Sequence, residues 1–331
     1  MLQRSVSPSS EAKPIVSCPP DRLPEIRLLL AAPRGFCAGV RRAVQAVRDA
    51  LRHHGAPVYV RRAIVHNLAV VRELEREGAI FIEEVDEVPP GSVIIFSAHG
   101  VAPRVADDAR IRGLKAYDAV CPLVAKVHRE VERHDRDGRR TILIGHAGHP
   151  EIHGTLGHLP EGSAFLVNSV EDIARIEIPD DSPVSYAVQT TYAVDEAASL
   201  IDALAKRFAD LVGPPSSDIC YATTNRQSAV RAIAGSVQAM IVAGEQFSSN
   251  ARRLAEVASD YCGSVQLVAR AEQLDWARLP ASGSIGLTAA ASTPESSVTA
   301  IIDALTARYD LRIEEVEVAK ESTVFKPMAV G

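Results

Sequence analysis

The sequence predicts an α/β protein with parallel sheets, and three observations carry that prediction. From Glu25 onward, strand-sized apolar runs alternate with longer segments of helical period, the pattern of consecutive strand–helix units. The connections between them stay short, as a compact α/β fold requires. Three cysteines, Cys37, Cys121 and Cys220, recur 84 and 99 residues apart, each between a strand-like run and a helix-like one. Those intervals are the size of small modules, so the chain reads as three related α/β units.

Taken in order, Ile26–Ala32 is nearly continuous in apolar residues and reads as a strand. Ala79–Ile82, Ser92–Ser97, Thr141–Gly145, Val184–Gln189, Val237–Ala243 and Ser284–Thr288 read the same way. Helices are expected over Ala38–His53, Leu68–Glu77, Leu123–His134, Val194–Phe208, Asn250–Ser259 and Glu295–Tyr309, several with apolar residues three and four apart. In the repeat, Cys37 follows Ile26–Ala32, Cys121 follows Leu114–Val120, and Cys220 follows the short, polar Ser217–Ile219. The expected division is an extension over 1–25, modules over 26–120, 121–219 and 220–310, and a tail over 311–331.

Composition narrows the function classes. A chain of 331 residues with 47% apolar and 24% charged residues is ordinary globular protein, which excludes wholesale disorder, collagen and coiled coil. Thirty-six basic against 42 acidic residues give a net charge of −6, the wrong sign for a nucleic-acid binder. No apolar run approaches the roughly 18 residues that cross a bilayer, so no membrane partner is expected. Five scattered cysteines, an odd number, do not form a secreted disulfide framework. The first 24 residues hold five Pro and five Ser without the apolar core of a secretory signal. They read as a disordered extension, and the cytoplasm is the expected compartment. No heptad or isolated apolar stripe marks a dimer face, which leaves a monomer as the default.

Turns at the carboxyl ends of parallel strands are where open α/β sheets build their sites, so three such turns can face one cavity. A helix N-terminus favours the thiolate form of a cysteine placed there. Three converging thiolates then point to a soft metal: zinc with a histidine as fourth ligand, or an iron–sulfur cube with one iron left open. The plainer alternative makes each cysteine a small buried hydrophobe. The matched placement of three argues against it, whereas Cys18 and Cys262 lack that placement and keep it.

Polar motifs sit at the same kind of turn. His66, in Val65-His66-Asn67, starts a helix, and His99, in Ser97-Ala98-His99-Gly100, ends a strand. His149 and Glu151 lie in a Gly- and Pro-bounded loop after Thr141–Gly145, and Gln189-Thr190-Thr191 follows Val184–Gln189. Ser248-Ser249-Asn250 lies just before a helix, where hydroxyls and free N–H groups receive anions. Ser292-Thr293-Pro294-Glu295 has that placement too, and also reads as a capping box with Ser292 at the N-cap. Two anion-ready helix starts and two histidines suggest a phosphate or diphosphate beside the thiols. No Gly-rich nucleotide loop is present.

Taken together, Pro33-Arg34-Gly35-Phe36-Cys37-Ala38-Gly39-Val40, Asp118-Ala119-Val120-Cys121-Pro122-Leu123-Val124, His146-Ala147-Gly148-His149-Pro150-Glu151 and Cys220-Tyr221-Ala222-Thr223-Thr224-Asn225-Arg226-Gln227 resemble the LytB (IspH) family. The His66, His99, Thr190 and Ser248 motifs extend the resemblance from about Arg27 to about Ala307. That family comprises the 4-hydroxy-3-methylbut-2-enyl diphosphate reductases of the methylerythritol phosphate route to isoprenoids. The resemblance implies a trefoil of three α/β modules with small parallel-type sheets around a central [4Fe-4S] cluster. It implies Cys37, Cys121 and Cys220 as cluster ligands, with one iron free of any protein ligand. His66, His99, His149, Ser248, Ser249, Asn250 and Ser292 would bind the substrate diphosphate. Glu151, Thr190 and His149 would serve catalysis, and Asn225 would lie close to the substrate. The implied reaction takes two electrons and two protons, releases water, and yields isopentenyl and dimethylallyl diphosphate, with flavodoxin or ferredoxin as donor. A cluster-binding redox sensor that has lost catalysis is the alternative. Ala290 stands where the family usually has Gly, and Ala125 where Thr is common, which leaves every named ligand in place.

Overall fold

A computed structural model describes residues 23–331. The expected disorder of the extension, and Cys18 with it, concerns residues outside that range except at its end. The chain begins with β1 (Glu25–Ala32), α1 (Ala38–His54), β2 (Val58–Arg61), α2 (Leu68–Glu77), β3 (Ala79–Ile82), β4 (Val93–Phe96), α3 (Pro103–Ile111) and β5 (Lys115–Asp118). It continues through α4 (Pro122–Arg136), β6 (Arg140–Ile144), α5 (Pro150–Leu156), β7 (Ala164–Val167), α6 (Val170–Ala174), β8 (Val184–Val188), α7 (Val194–Arg207) and β9 (Leu211–Val212). The last third holds α8 (Tyr221–Ala234), β10 (Ala239–Ala243), α9 (Ser249–Ser259), β11 (Val265–Val268), β12 (Gly283–Ala289), α10 (Glu295–Thr306) and β13 (Asp310–Glu317).

These strands form three small sheets in the orders β3-β2-β4-β5, β7-β6-β8-β9 and β11-β10-β12-β1-β13. Every strand pair among them is parallel. Each sheet separates two apolar clusters, so helices cover both faces, as parallel sheets demand. In the five-stranded sheet, Ile26, Leu28 and Leu30 pack on one side with Ile301, while Leu29 and Ala31 pack on the other with Val230 and Leu254.

The expected module boundaries need two corrections. β1 pairs with β12 and β13 and so belongs to the sheet of the last segment, not to a module over 26–120. Its unbroken apolar run suits an interior strand, and the last sheet supplies neighbours on both sides. The supposed tail after residue 310 contributes the edge strand β13, whose mostly exposed, charged residues are typical of an edge. Nor do residues Ser217–Ile219 form a strand; the strand before Cys220 is the two-residue β9, and a loop separates them.

What the topology does for function follows from strand direction. His66, His99, Cys121, His149, Thr190, Ser248 and Ser292 all lie just beyond the carboxyl ends of strands β2, β4, β5, β6, β8, β10 and β12. Cys37 stands in the same relation to β1. Among the described residues no helix is long and apolar enough to cross a membrane.

Candidate active site

The three cysteines occupy equivalent local positions. Each is the N-cap residue of a helix in extended backbone conformation: Cys37 for α1, Cys121 for α4, Cys220 for α8. The Val40 N–H points at Cys37 Sγ at 3.4 Å, and the Thr223 N–H at Cys220 Sγ at 3.3 Å. A Pro at the first position of α4 pre-sets the turn after Cys121. All three line a single cavity.

Gly39 makes their approach possible. A Cβ at that position would stand 2.7 Å from Cys121 Sγ and 3.8 Å from Cys37 Sγ, so the missing side chain leaves the gap between two thiols open. Among the described residues no three His, Cys, Asp or Glu side chains come close enough to share one metal ion. A zinc site needs its ligands within bonding distance of one point. Three thiols spread around a cavity wall instead fit a polynuclear iron–sulfur group, in which each sulfur binds its own iron. The expected thiolate bias is reversed in two of them: burial pushes Cys121 up to about 12 and Cys220 up to about 11, reinforced by the neighbouring thiols. Desolvation outweighs the helix N-terminus, so a bound cation is needed to stabilise the anionic sulfurs.

A carboxyl–hydroxyl pair lies on the same wall. Glu151, at the start of α5 and 2% exposed, receives the Thr190 N–H on Oε1 at 2.7 Å and the Thr190 hydroxyl on Oε2 at 2.8 Å. Burial raises its carboxyl to about 7 despite those two hydrogen bonds, which act in the opposite direction. His149, the N-cap of α5, accepts the Glu151 N–H on Nδ1 at 3.2 Å. In the neutral ring that assigns the proton to Nε2, which is buried without a partner.

Three histidines cluster in the same cavity. The rings of His66 and His99 stand 4.2 Å apart, and that of His149 lies 5.3 and 5.9 Å from them. Burial, assisted by the Arg252 cation, lowers His66 to about 4; burial, assisted first by His66, lowers His149 to about 3 and also holds His99 well below its ordinary value. Such burial keeps the cluster neutral at physiological pH. His66 Nε2 has no partner either, so it and His149 Nε2 are buried polar atoms awaiting a ligand.

The N-terminus of α9 completes the wall. Ser248 caps it, Ser249 Oγ lies 3.3 Å from Gln189 Nε2, and Asn250 Oδ1 accepts the Ala291 N–H at 2.9 Å. Asn250 Nδ2 is buried and unpartnered, a donor directed beside a helix start. Ser292 donates to the His66 carbonyl at 3.1 Å, which ties two strand ends together. It does not cap α10; the N-cap there is Pro294, and Glu295 pairs with Arg34 instead. Only one of the two expected helix starts is thus built for an anion, though Ser292 still lines the cavity.

The sequence comparison decides the family at this point, because the LytB protein family matches residues 28–306, nearly the whole described chain. The chain belongs to the LytB family. Two 4-hydroxy-3-methylbut-2-enyl diphosphate reductases illustrate the kinship. That of Methylocella silvestris is 52% identical over 304 residues, covering 91% of this chain and 95% of its own. That of Paracoccus denitrificans is 52% identical over 307 residues, covering 92% and 97%. The solved E-1-hydroxy-2-methyl-but-2-enyl-4-diphosphate reductase of Plasmodium falciparum superposes with a TM-score of 0.86 at 36% identity, covering 91% of this chain and 95% of that one. A second solved reductase, described as the terminal enzyme of the non-mevalonate pathway, gives 0.63 at 30% identity, covering 85% and 99%.

Set beside the LytB resemblance, twelve of the thirteen site residues read from the sequence line the one cavity. Asn225 does not; its Nδ2 donates to Glu321 Oε1 at 3.2 Å, on the other side of α8. Helical spacing explains the miss, since Thr223, two residues earlier, is the one that turns inward. The sequence reading passes over Thr223, yet its hydroxyl lies 3.2 Å from Cys220 Sγ. Its position three residues after an N-cap cysteine is the available signal. Ala290 is fully buried in an apolar cluster, so its methyl group faces away from the cavity that Ala291 lines.

Proposed function

We propose that the protein is a 4-hydroxy-3-methylbut-2-enyl diphosphate reductase, converting that substrate to isopentenyl and dimethylallyl diphosphate with two electrons, two protons and loss of water. The observation that carries this reading is the joining of three thiols, a proton-holding carboxyl and unpartnered anion donors in one cavity. Cys37, Cys121 and Cys220 would hold a [4Fe-4S] cluster with one iron lacking a protein ligand. When bound, that cluster supplies the electrons and a Lewis-acidic iron for the departing hydroxyl.

The remaining work belongs to the chain. His66, His99 and His149 would meet the diphosphate together with Ser248, Ser249, Asn250 and Ser292, holding the organic part of the substrate toward the thiol wall. An arriving dianion favours the protonated imidazoles that burial alone disfavours. Glu151 holds its proton near neutral pH, and the Thr190 N–H occupies Oε1, which leaves Oε2 as the protonated oxygen. From Oε2 the proton can pass to the Thr190 hydroxyl, 2.8 Å away, and on to the leaving oxygen. His149 fixes the start of α5 through the Glu151 N–H and so orients that carboxyl. Holding the diphosphate away from the acid spares it from chemistry and converts binding into position. A redox sensor without catalysis would have no use for a neutral carboxyl paired to Thr190.

Electrons would arrive from a flavodoxin or ferredoxin. The test is anaerobic: iron- and sulfide-verified protein, reduced viologen and 4-hydroxy-3-methylbut-2-enyl diphosphate. Substrate-dependent viologen oxidation with both isoprenoid diphosphates formed is the expected result; an intact cluster with no product would refute the assignment.

A further inference from the structure

The three cysteine turns come from three different parts of the chain, and residues beyond β13 hold two arginines whose guanidinium groups donate to the backbone beside every one of them. Arg226 of α8 is fully buried. Its Nε and Nη2 donate to the Gly35 carbonyl at 3.0 and 2.7 Å, and its Nη1 donates to the Ala222 carbonyl at 3.0 Å. Gly35 precedes Cys37 by two residues and Ala222 follows Cys220 by two, so one guanidinium bridges two cysteine turns. Its counter-ion is Glu321, whose Oε1 accepts from Arg226 Nη1 at 2.8 Å and from Asn225 Nδ2 at 3.2 Å.

Five residues on, the same segment reaches the third turn. Arg42 of α1 donates through Nε to the Lys326 carbonyl and through Nη1 to the Val120 carbonyl, both at 3.0 Å. Val120 is the residue before Cys121. Met328 and Val330 then pack on the apolar cluster of the β3-β2-β4-β5 sheet, which anchors the end of the segment.

We propose that residues 321–330 form a strap that sets the geometry of the three-cysteine cage through Arg226 and Arg42, with Glu321 as its positioning residue. The inference rests on the reading of the cysteines as ligands of one group. A buried guanidinium that loses its only carboxylate must find another partner or water, and either shift pulls on the Gly35 and Ala222 carbonyls. The 0% exposed Arg226 side chain faces a Glu321 side chain only 9% exposed, so solvent cannot replace the pair cheaply. Arg42 acts through two backbone carbonyls, and its charge also favours the ionised Asp118 carboxyl two residues before Val120.

The test compares anaerobically prepared wild type, Glu321→Gln, Arg42→Gln and, as an exposed control one residue before the strap, Lys320→Ala. Three quantities are read: bound iron and sulfide, the electron paramagnetic resonance spectrum of the reduced protein, and the rate of visible bleaching under a chelator. Glu321→Gln is expected to bleach about tenfold faster with an altered spectrum, as loss of a buried pair partner predicts. Arg42→Gln, which leaves the Arg226–Glu321 pair intact, is expected to shift the spectrum in a protein that still folds. Lys320→Ala should match wild type in all three. The strap is overturned if Arg42→Gln and any folded Glu321→Gln keep the wild-type spectrum and bleaching rate, or if Lys320→Ala changes them equally. Wild type without iron and sulfide would overturn the ligand reading itself, a result separable from the other because it appears before any substitution.

Discussion

Glu151 and Thr190 state the chemistry in two side chains. A carboxyl raised to about 7 is largely protonated below that pH and loses its proton above it. Turnover that needs the proton should therefore fall about tenfold per unit of pH on the alkaline side. Replacing Glu151 with Gln should remove that limb and lower kcat by roughly 10²- to 10⁴-fold, the usual worth of a positioned acid, with iron content unchanged. Full activity in that variant would count against Glu151 as the proton donor. Thr190→Val makes a finer prediction. It keeps the N–H on Oε1 and deletes the hydroxyl on Oε2, a hydrogen bond that lowers the carboxyl pKa. The alkaline limb should move to higher pH while kcat drops, and a pH profile of the variant measures both. Residue chemistry of this kind is legible in the sequence for Cys37, Cys121, Cys220, Glu151 and the histidines, because motifs place whole side-chain sets at strand ends. Burial is not legible, and it is burial that sets the protonation of Glu151 and overturns the expected thiolate bias of Cys121 and Cys220.

The elements contribute start points more than interiors. Long periodic helices such as α1, α2 and α9 match their expected spans closely, since their apolar spacing is regular. The four-residue strands β2, β7 and β11 are not among those expected although β3 and β4, of the same length, are, so length alone does not hide a strand; β13 carries the charges of an exposed edge. The start of α10 departs from expectation because the Ser292–Glu295 spacing imitates a capping box while Pro294 takes the cap. Two helix starts can be tested directly. At α9, Asn250→Asp keeps the acceptor for the Ala291 N–H but turns an unpartnered donor into an anion. Substrate binding should weaken about a hundredfold by charge repulsion, read as a rise in KM with the fold intact by circular dichroism. At α1, Gly39→Ala should favour the helix by about 0.5–1 kcal/mol on intrinsic propensity. Yet its Cβ would press on Cys121 Sγ at 2.7 Å, so the variant should hold less iron and sulfide while unfolding no earlier as metal-free protein.

On the scale of the whole molecule, three parallel sheets point their carboxyl ends at one cavity, and the chain returns to its own beginning to close the third. That return, β1 between β12 and β13, is invisible to a reading that moves along the chain, because strand neighbours hundreds of residues apart leave no local pattern. The consequence is mechanical: the turn bearing Cys37 is carried by the same sheet as the loops of Ser248 and Ser292. The turn of Cys37 and the proposed anion site are thereby held on one rigid sheet. The most direct test of the central claim, a three-thiol cage opening onto the diphosphate cavity, is Mössbauer spectroscopy of anaerobic, iron-57-labelled protein with and without the diphosphate substrate. The account predicts a four-iron cluster in which one iron differs from the rest and changes its parameters when substrate is added. A single mononuclear metal, or a cluster whose spectrum substrate leaves untouched, would contradict it.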